Sequence, residues 1–131
     1  MTNAHFVYVP ECELKRFVQE RDFVAWIPEG MRTGRELFEI LDRELQLPAY
    51  FGFNWNALWD CIRDLSWIDS KRIILVHKAV PELEQEELRI YLQLISDAVE
   101  HAKSSKAEEN HELVVIFPPE ARQEIEKVLK K

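Results

Sequence analysis

Glycine is scarce: Gly30, Gly34 and Gly52 are the only three among 131 residues, so most connections fall to proline, asparagine, aspartate and serine. Cysteine is scarcer still. Cys12 and Cys61 are too few for a disulfide framework. With no CxxC, no HExxH and four scattered histidines (His5, His77, His101, His111), no structural metal and no cofactor are expected. Long apolar runs are also missing. The longest, Phe23–Ile27 and Leu113–Phe117, hold five residues each, against the roughly 20 that a membrane-spanning helix needs. Met1–Pro10 has neither a basic segment nor a long apolar one, so a secretory leader is not expected, and the two thiols are read as reduced and cytoplasmic. Positive charge is in the minority, 17 basic against 24 acidic side chains for a net −7. That balance excludes a protein that grips nucleic acid by neutralising phosphates, and it leaves a basic partner open.

The composition that remains, 47% apolar and 31% charged, is that of an ordinary globular chain, and the length suits one domain. Phe6–Val9 is a short β-prone run closed by Pro10, and Glu11–Glu20 has room for a short helix. Phe23–Ile27, Ile73–Val76 and Leu113–Phe117 are continuous apolar runs, the pattern of buried strands. Thr33 with Glu36 has capping-box spacing and precedes Leu37, Phe38, Leu41 and Leu45 at helical intervals, with Pro48 as the stop. Asn54 is an N-cap candidate for a helix burying Leu58, Cys61, Ile62 and Leu65. From Glu84 a long helix buries Leu88, Tyr91, Leu92, Ile95, Val99 and Ala102. Ser104–Asn110 reads as a loop, and Pro118-Pro119 opens a last helix with Glu120 early and Lys127, Lys130 and Lys131 late. Buried strands alternating with helices imply parallel pairing in a small layered α/β domain.

Residues 47–62, LPAYFGFNWNALWDCI, carry the most information. With Leu58, Cys61, Ile62 and Leu65 inward, the opposite helix face presents Asn56, Asp60, Arg63 and Asp64, with Trp59 on the flank. Aromatic anchors beside charges are what a protein-binding surface uses. An equally physical reading has Trp55 and Trp59 packing under the Tyr50–Phe53 loop, with Asp60 merely solvated.

Leu47-Pro48, Tyr50, Gly52, Asn54 and the run Ala57-Leu58-Trp59-Asp60-Cys61 closely resemble the barstar family, intracellular inhibitors of the ribonuclease barnase. The resemblance is dense over 47–62 and weaker over roughly 23–117. It implies a barstar-like three-layer α/β domain with a three-stranded parallel sheet packed with helices. Residues 1–22 then form an N-terminal extension and residues 119–131 a C-terminal helical one, suited to adding an edge strand and a covering helix. It also implies no chemistry of the chain's own, but 1:1 binding that blocks a basic extracellular-type ribonuclease or nuclease toxin, as an immunity protein does. Asp60 then stands where a substrate phosphate would lie, Tyr50 packs on the enzyme's catalytic histidine, and Trp59 is a contacting aromatic. Asp97 falls near a family glutamate on the third major helix. Tyr50, Asn54, Trp55, Asn56, Trp59, Asp60, Arg63, Asp64 and Asp97 are therefore the candidate partner-binding residues. The departures lie in that same surface: Asn56 stands where the family has a second acid, Trp55 replaces a smaller apolar residue, and Arg63 and Asp64 replace small or neutral ones.

Two other readings remain beside the inhibitor. One is an enzyme pairing Asp60 with His77 or His101 as acid and base, although neither histidine has a motif partner at fixed spacing. The other is a barstar-like fold serving a non-ribonuclease partner, which Asn56 keeps open. The charge itself is unevenly placed. Residues 82–100 hold six acids against Arg89, a net −5, and residues 55–70 a net −2. The long helix is thus expected to steer a basic partner that Asp60 contacts.

Overall fold

Four parallel strands form one sheet in the order β1-β4-β3-β2, in a computed structural model that describes residues 5–104 and 111–130. The strands are β1 (Phe6–Tyr8), β2 (Phe23–Ile27), β3 (Arg72–His77) and β4 (Glu112–Phe117). Three strands were expected in the core. The fourth is β1, whose residues Phe6, Val7 and Tyr8 stand in register with Val115, Ile116 and Phe117, so the N-terminal extension builds the sheet edge beside β4. Its length is limited by Pro10, which supplies no N–H to continue a ladder.

Side-chain alternation sorts the sheet into two faces. Ala25, Ile27, Ile73, Leu75, Leu113, Val115 and Phe117 enter the main core. Ile74, Val76, Val114 and Ile116 enter a smaller one with Val9. The main core is closed by helices α2 (Gly34–Leu45), α3 (Trp55–Asp64), α4 (Gln85–Ser104) and α5 (Arg122–Leu129). The second face is covered by a 3-10 turn at Glu11–Glu13 and the four-residue α1 (Leu14–Phe17), shorter than the helix the sequence allowed over 11–20. Only Leu14, Phe17 and Val18 lean on that side, too few apolar positions to sustain two full turns. This segment is pinned by Asp22, which accepts from Arg72 Nε at 3.1 Å and Nη2 at 2.8 Å, while Nη2 also donates to the Phe17 carbonyl at 2.8 Å.

The cap at α2 differs slightly from a closed box. Thr33 Oγ1 accepts from the Glu36 N–H at 3.1 Å, but the Glu36 carboxylate reaches back one residue further, to the Arg32 N–H at 2.8 Å. The β2 edge is protected by Glu44, whose carboxylate accepts from the Trp26 N–H at 2.8 Å. With so few glycines, three left-handed turns are made by Gln46 (φ 55°), Phe53 (φ 54°) and Leu65 (φ 49°). Each costs about 1 kcal/mol relative to an unstrained backbone. Two of them, Phe53 and Leu65, bracket α3. Ser104 closes α4, and the rest of the expected 104–110 loop lies outside the described residues, as does Lys131.

Candidate functional site

Helix α3 starts on Asn54. Its side-chain oxygen accepts from the Ala57 N–H at 2.8 Å, and its amide donates to the Gly52 carbonyl at 3.2 Å. One side chain therefore serves the helix end and the preceding loop together. A Cβ at Gly52 would lie 3.1 Å from that same amide nitrogen, a tight contact that would push the Asn54 amide aside. The loop is anchored inward by buried Phe51, 4.8 Å from Phe53 and 6.0 Å from Phe38 between ring centroids. The Arg35 guanidinium lies 4.5 Å from the Phe53 ring centroid and braces the loop from α2. With its neighbours held, Tyr50 is left projecting, 77% exposed.

Helix α3 buries Leu58, Cys61 and Ile62 and ends at Leu65. The carbonyl of Leu65 lies 2.7 Å from His111 Nε2, and the Ser70 carbonyl lies 2.6 Å from Nδ1, so His111, just ahead of β4, stands against the far end of the helix. Asn56, Asp60, Arg63 and Asp64 are exposed, as the helical spacing predicts. The carboxylates of Asp60, Asp64 and Asp42 all reach the buried Cys61 thiol electrostatically; burial first, and then these anions, push that thiol up from its ordinary range. Cys61 is thus an inert packing residue beneath an acidic face.

The two tryptophans part company. Trp55 turns inward, its ring 4.7 Å from Phe38 and 6.3 Å from Tyr91, so it joins α2 and α4 under the first turn of α3. Trp55 therefore packs, but on Phe38 and Tyr91 rather than under the Tyr50–Phe53 loop that the sequence suggested. Trp59 stays half-buried on the flank, its ring 6.3 Å from His101 in the last turn of α4 and 4.9 Å from the Arg63 guanidinium. Arg63 also donates to Asp60 Oδ1 at 2.7 Å. Asp97 is exposed on α4, one turn before His101, and accepts from Gln93 at 2.9 Å.

Sequence reading missed Arg35 as a neighbour of this surface and raised His101 only as an acid–base partner for Asp60, not as a neighbour of Trp59. Neither contact has a local signal; both arise from the packing of α2 and α4 around α3. The two histidines raised as acid–base candidates lie in different surroundings, one in the core and one exposed at the end of α4. His77 is buried on Tyr91 and the Ile116 carbonyl, and His101 sits edge-on to Trp59. Among the described residues, no group of three or more metal-ligating side chains comes together, and no helix is long and apolar enough to cross a membrane.

The structure is thus an α/β domain with a four-stranded parallel sheet, carrying a capped helix with an exposed tyrosine before it and carboxylates along it. A family model described as Barstar (barnase inhibitor) matches residues 22–118, well over half of the chain. The chain belongs to the barstar family, whose members are inhibitors of ribonucleases rather than enzymes.

Proposed function

We propose that this chain is an intracellular inhibitor that docks α3 and the Tyr50 loop into the active site of a basic ribonuclease, one to one, in the manner of an immunity protein against a nuclease toxin. The observation that carries this reading is the arrangement of Asp60 on a helix fixed at both ends, by Asn54 and by His111, beside exposed Tyr50 and half-buried Trp59. A carboxylate held on a rigid helix loses little freedom on binding and forms charge-assisted bonds with guanidinium groups. Asn54 and Trp55 then serve as positioning residues, while Tyr50, Asn56, Trp59, Asp60, Arg63 and Asp64 meet the partner. Asp97 and the other acids of α4 supply the field that attracts it.

Pull-down from the source organism, with wild-type bait and an Asp60→Ala control, tests the reading. The wild-type bait is expected to retain a protein that cleaves RNA and whose cleavage the bait inhibits. Asp60→Ala is expected to lose roughly 2–5 kcal/mol of that binding, because the facing cations stay buried and unpaired. Glu124→Ala, on α5, should leave it intact. Equal losses from both substitutions, or recovery of a non-nuclease partner alone, would remove the assignment.

A further inference from the structure

We infer that the crevice at the carboxyl ends of the four strands, walled by Trp26, is a second binding site of this chain and takes an aliphatic polyamine. It borders neither α3 nor the Tyr50 loop among the described residues, and it does not depend on the ribonuclease reading. Pro10 after β1, Pro28 after β2, Lys78 after β3 and Pro118 after β4 all line it, and it holds about 1140 Å³. Topology opens it. β1 and β4 are neighbours, yet the chain leaves β1 toward the smaller core, through the turn at Glu11–Glu13 and α1, and leaves β4 toward the main core, through α5. Connections that part to opposite faces of a parallel sheet leave a crevice at the strand ends, the place where open α/β sheets bind ligands. The cover of Leu14, Phe17 and Val18 also fails to close over Trp26, which shares the second face with Val24 and remains 53% exposed.

The walls select the occupant. Leu14, Val76 and Ile116 give the crevice an apolar lining. Five glutamates stand along it against three cations, and one of each is spent in the Arg43–Glu44 pair at 3.3 Å. The exposed Glu11, Glu29 and Glu120 have no side-chain hydrogen bond or ion pair among the described residues, nor do Lys15 and Lys78, so carboxylates remain in excess. Glu29 follows β2, whereas Glu11 and Glu120 follow β1 and β4, strand ends about 10–14 Å away at the ordinary spacing of a sheet. Among the described residues no three acids converge on one point as a metal ion requires. The ligand that fits carries positive charges separated by apolar spacers. Its methylene segments lie on the apolar lining, and its terminal ammonium groups meet Glu29 at one end and Glu11 with Glu120 at the other. The open Trp26 ring adds a face on which a cation is held.

Amide NMR spectra of the full chain, titrated with spermidine at constant ionic strength, test this. The Trp26 indole N–H and the Val9 and Lys78 amides are expected to shift together and saturate at around millimolar spermidine. Butylamine reaches one end only and should need roughly ten-fold more. Trp26→Ala, followed on the two amides, is expected to weaken binding about two- to five-fold. Glu11→Gln with Glu120→Gln should weaken it about five-fold, while Glu39→Gln with Asp69→Asn, which removes as much charge elsewhere, should leave it unchanged. Urea midpoints show that each variant is folded. Equal losses from the two double variants, the same shifts from magnesium chloride, or no saturable shift of the three groups would overturn the inference. Tighter binding of tetralysine in the crevice would replace the polyamine with a basic chain, and shifts that follow protein concentration alone would replace it with a second copy.

Discussion

The Tyr91 hydroxyl and His77 Nε2 lie 2.7 Å apart in the core, with Tyr91 wholly buried and His77 2% exposed. Nδ1 of the same ring faces the Ile116 carbonyl at 3.2 Å. A carbonyl only accepts, so Nδ1 carries the proton and Nε2 accepts from the tyrosine. Phe117 stacks on the imidazole at 4.0 Å, completing an apolar enclosure. Burial drives the His77 pKa from 6.5 down to about 3, and it raises that of Tyr91. Between those two values the unfolded chain binds a proton that the folded chain refuses. Stability is therefore full above about pH 6.5 and falls as the solution is acidified toward pH 3, by on the order of 4 kcal/mol in all. Urea midpoints across that range check it, and a His77→Gln variant should show a flatter profile.

Asp22 adds a second, lower window. Its hydrogen bonds with Arg72 outweigh burial and hold its carboxyl below the ordinary 3.8. That contribution is present above pH 3.8 and is lost as pH falls through the lowered folded value. Asp22→Ala strands Arg72 between the sheet and the Phe17 carbonyl and is expected to cost roughly 2 kcal/mol, less than a fully buried pair would. Because the pair ties the 3-10 turn and α1 to β3, proteolysis between residues 11 and 22 should accelerate in the variant while α3 keeps its affinity.

Trp55 and Trp59 separate stability from binding. Trp55→Ala removes a ring lodged against Phe38 and Tyr91, and is expected to cost about 2–3 kcal/mol, below the figure for a wholly buried tryptophan. Trp59→Ala exposes little core, so its stability change should stay within about 1 kcal/mol while ribonuclease affinity falls by more. Urea denaturation and binding measured on the same two variants decide it. The reverse ordering would mean that Trp59 is the packing residue.

These two side chains also mark how far the sequence is legible. The three long strands, the capped α2, the α3 stripe of Leu58, Cys61 and Ile62, and the exposed acids all follow from local periodicity and capping chemistry, which one segment carries within itself. The direction of Trp55 does not. It depends on a cleft between α2 and α4 that forms only when segments about 50 residues apart meet, as Phe38 and Tyr91 do around it. The same holds for Phe6–Tyr8: three residues announce a strand, but its place beside β4 is set by partners more than 100 residues away. The Arg63–Asp60 pair and the seat of the guanidinium on Trp59 were both within reach of sequence, since i,i+3 and i,i+4 positions share a helix face.

Asn54 couples fold and site through its two hydrogen bonds. Asn54→Ala frees the Ala57 N–H and the Gly52 carbonyl, and should cost about 1 kcal/mol of stability. The larger effect is expected on binding, because the Tyr50 loop loses its tie to α3 and must be ordered on docking. Asn54→Asp keeps the cap but not the amide donor. Stability should then recover while affinity recovers only in part; full recovery of both would show that the tie to Gly52 does not matter.

Restoring an acid at position 56 tests the docking face by gain rather than loss. Asn56 is the second residue of α3, in the turn where the helix dipole favours a negative charge by about 0.3–1 kcal/mol. Four residues on stands Asp60, and a like-charge pair at that spacing costs roughly 0.2–0.5 kcal/mol. The two effects nearly cancel, so Asn56→Asp should leave the urea midpoint almost unchanged. Its effect appears in association: a second carboxylate on the exposed face adds attraction that Arg63 does not neutralise. The rate of binding to barnase is expected to rise at low salt and to converge on the wild-type rate at high salt, where screening beyond about 3 Å removes the difference. An unchanged rate at low salt would place position 56 outside the contact.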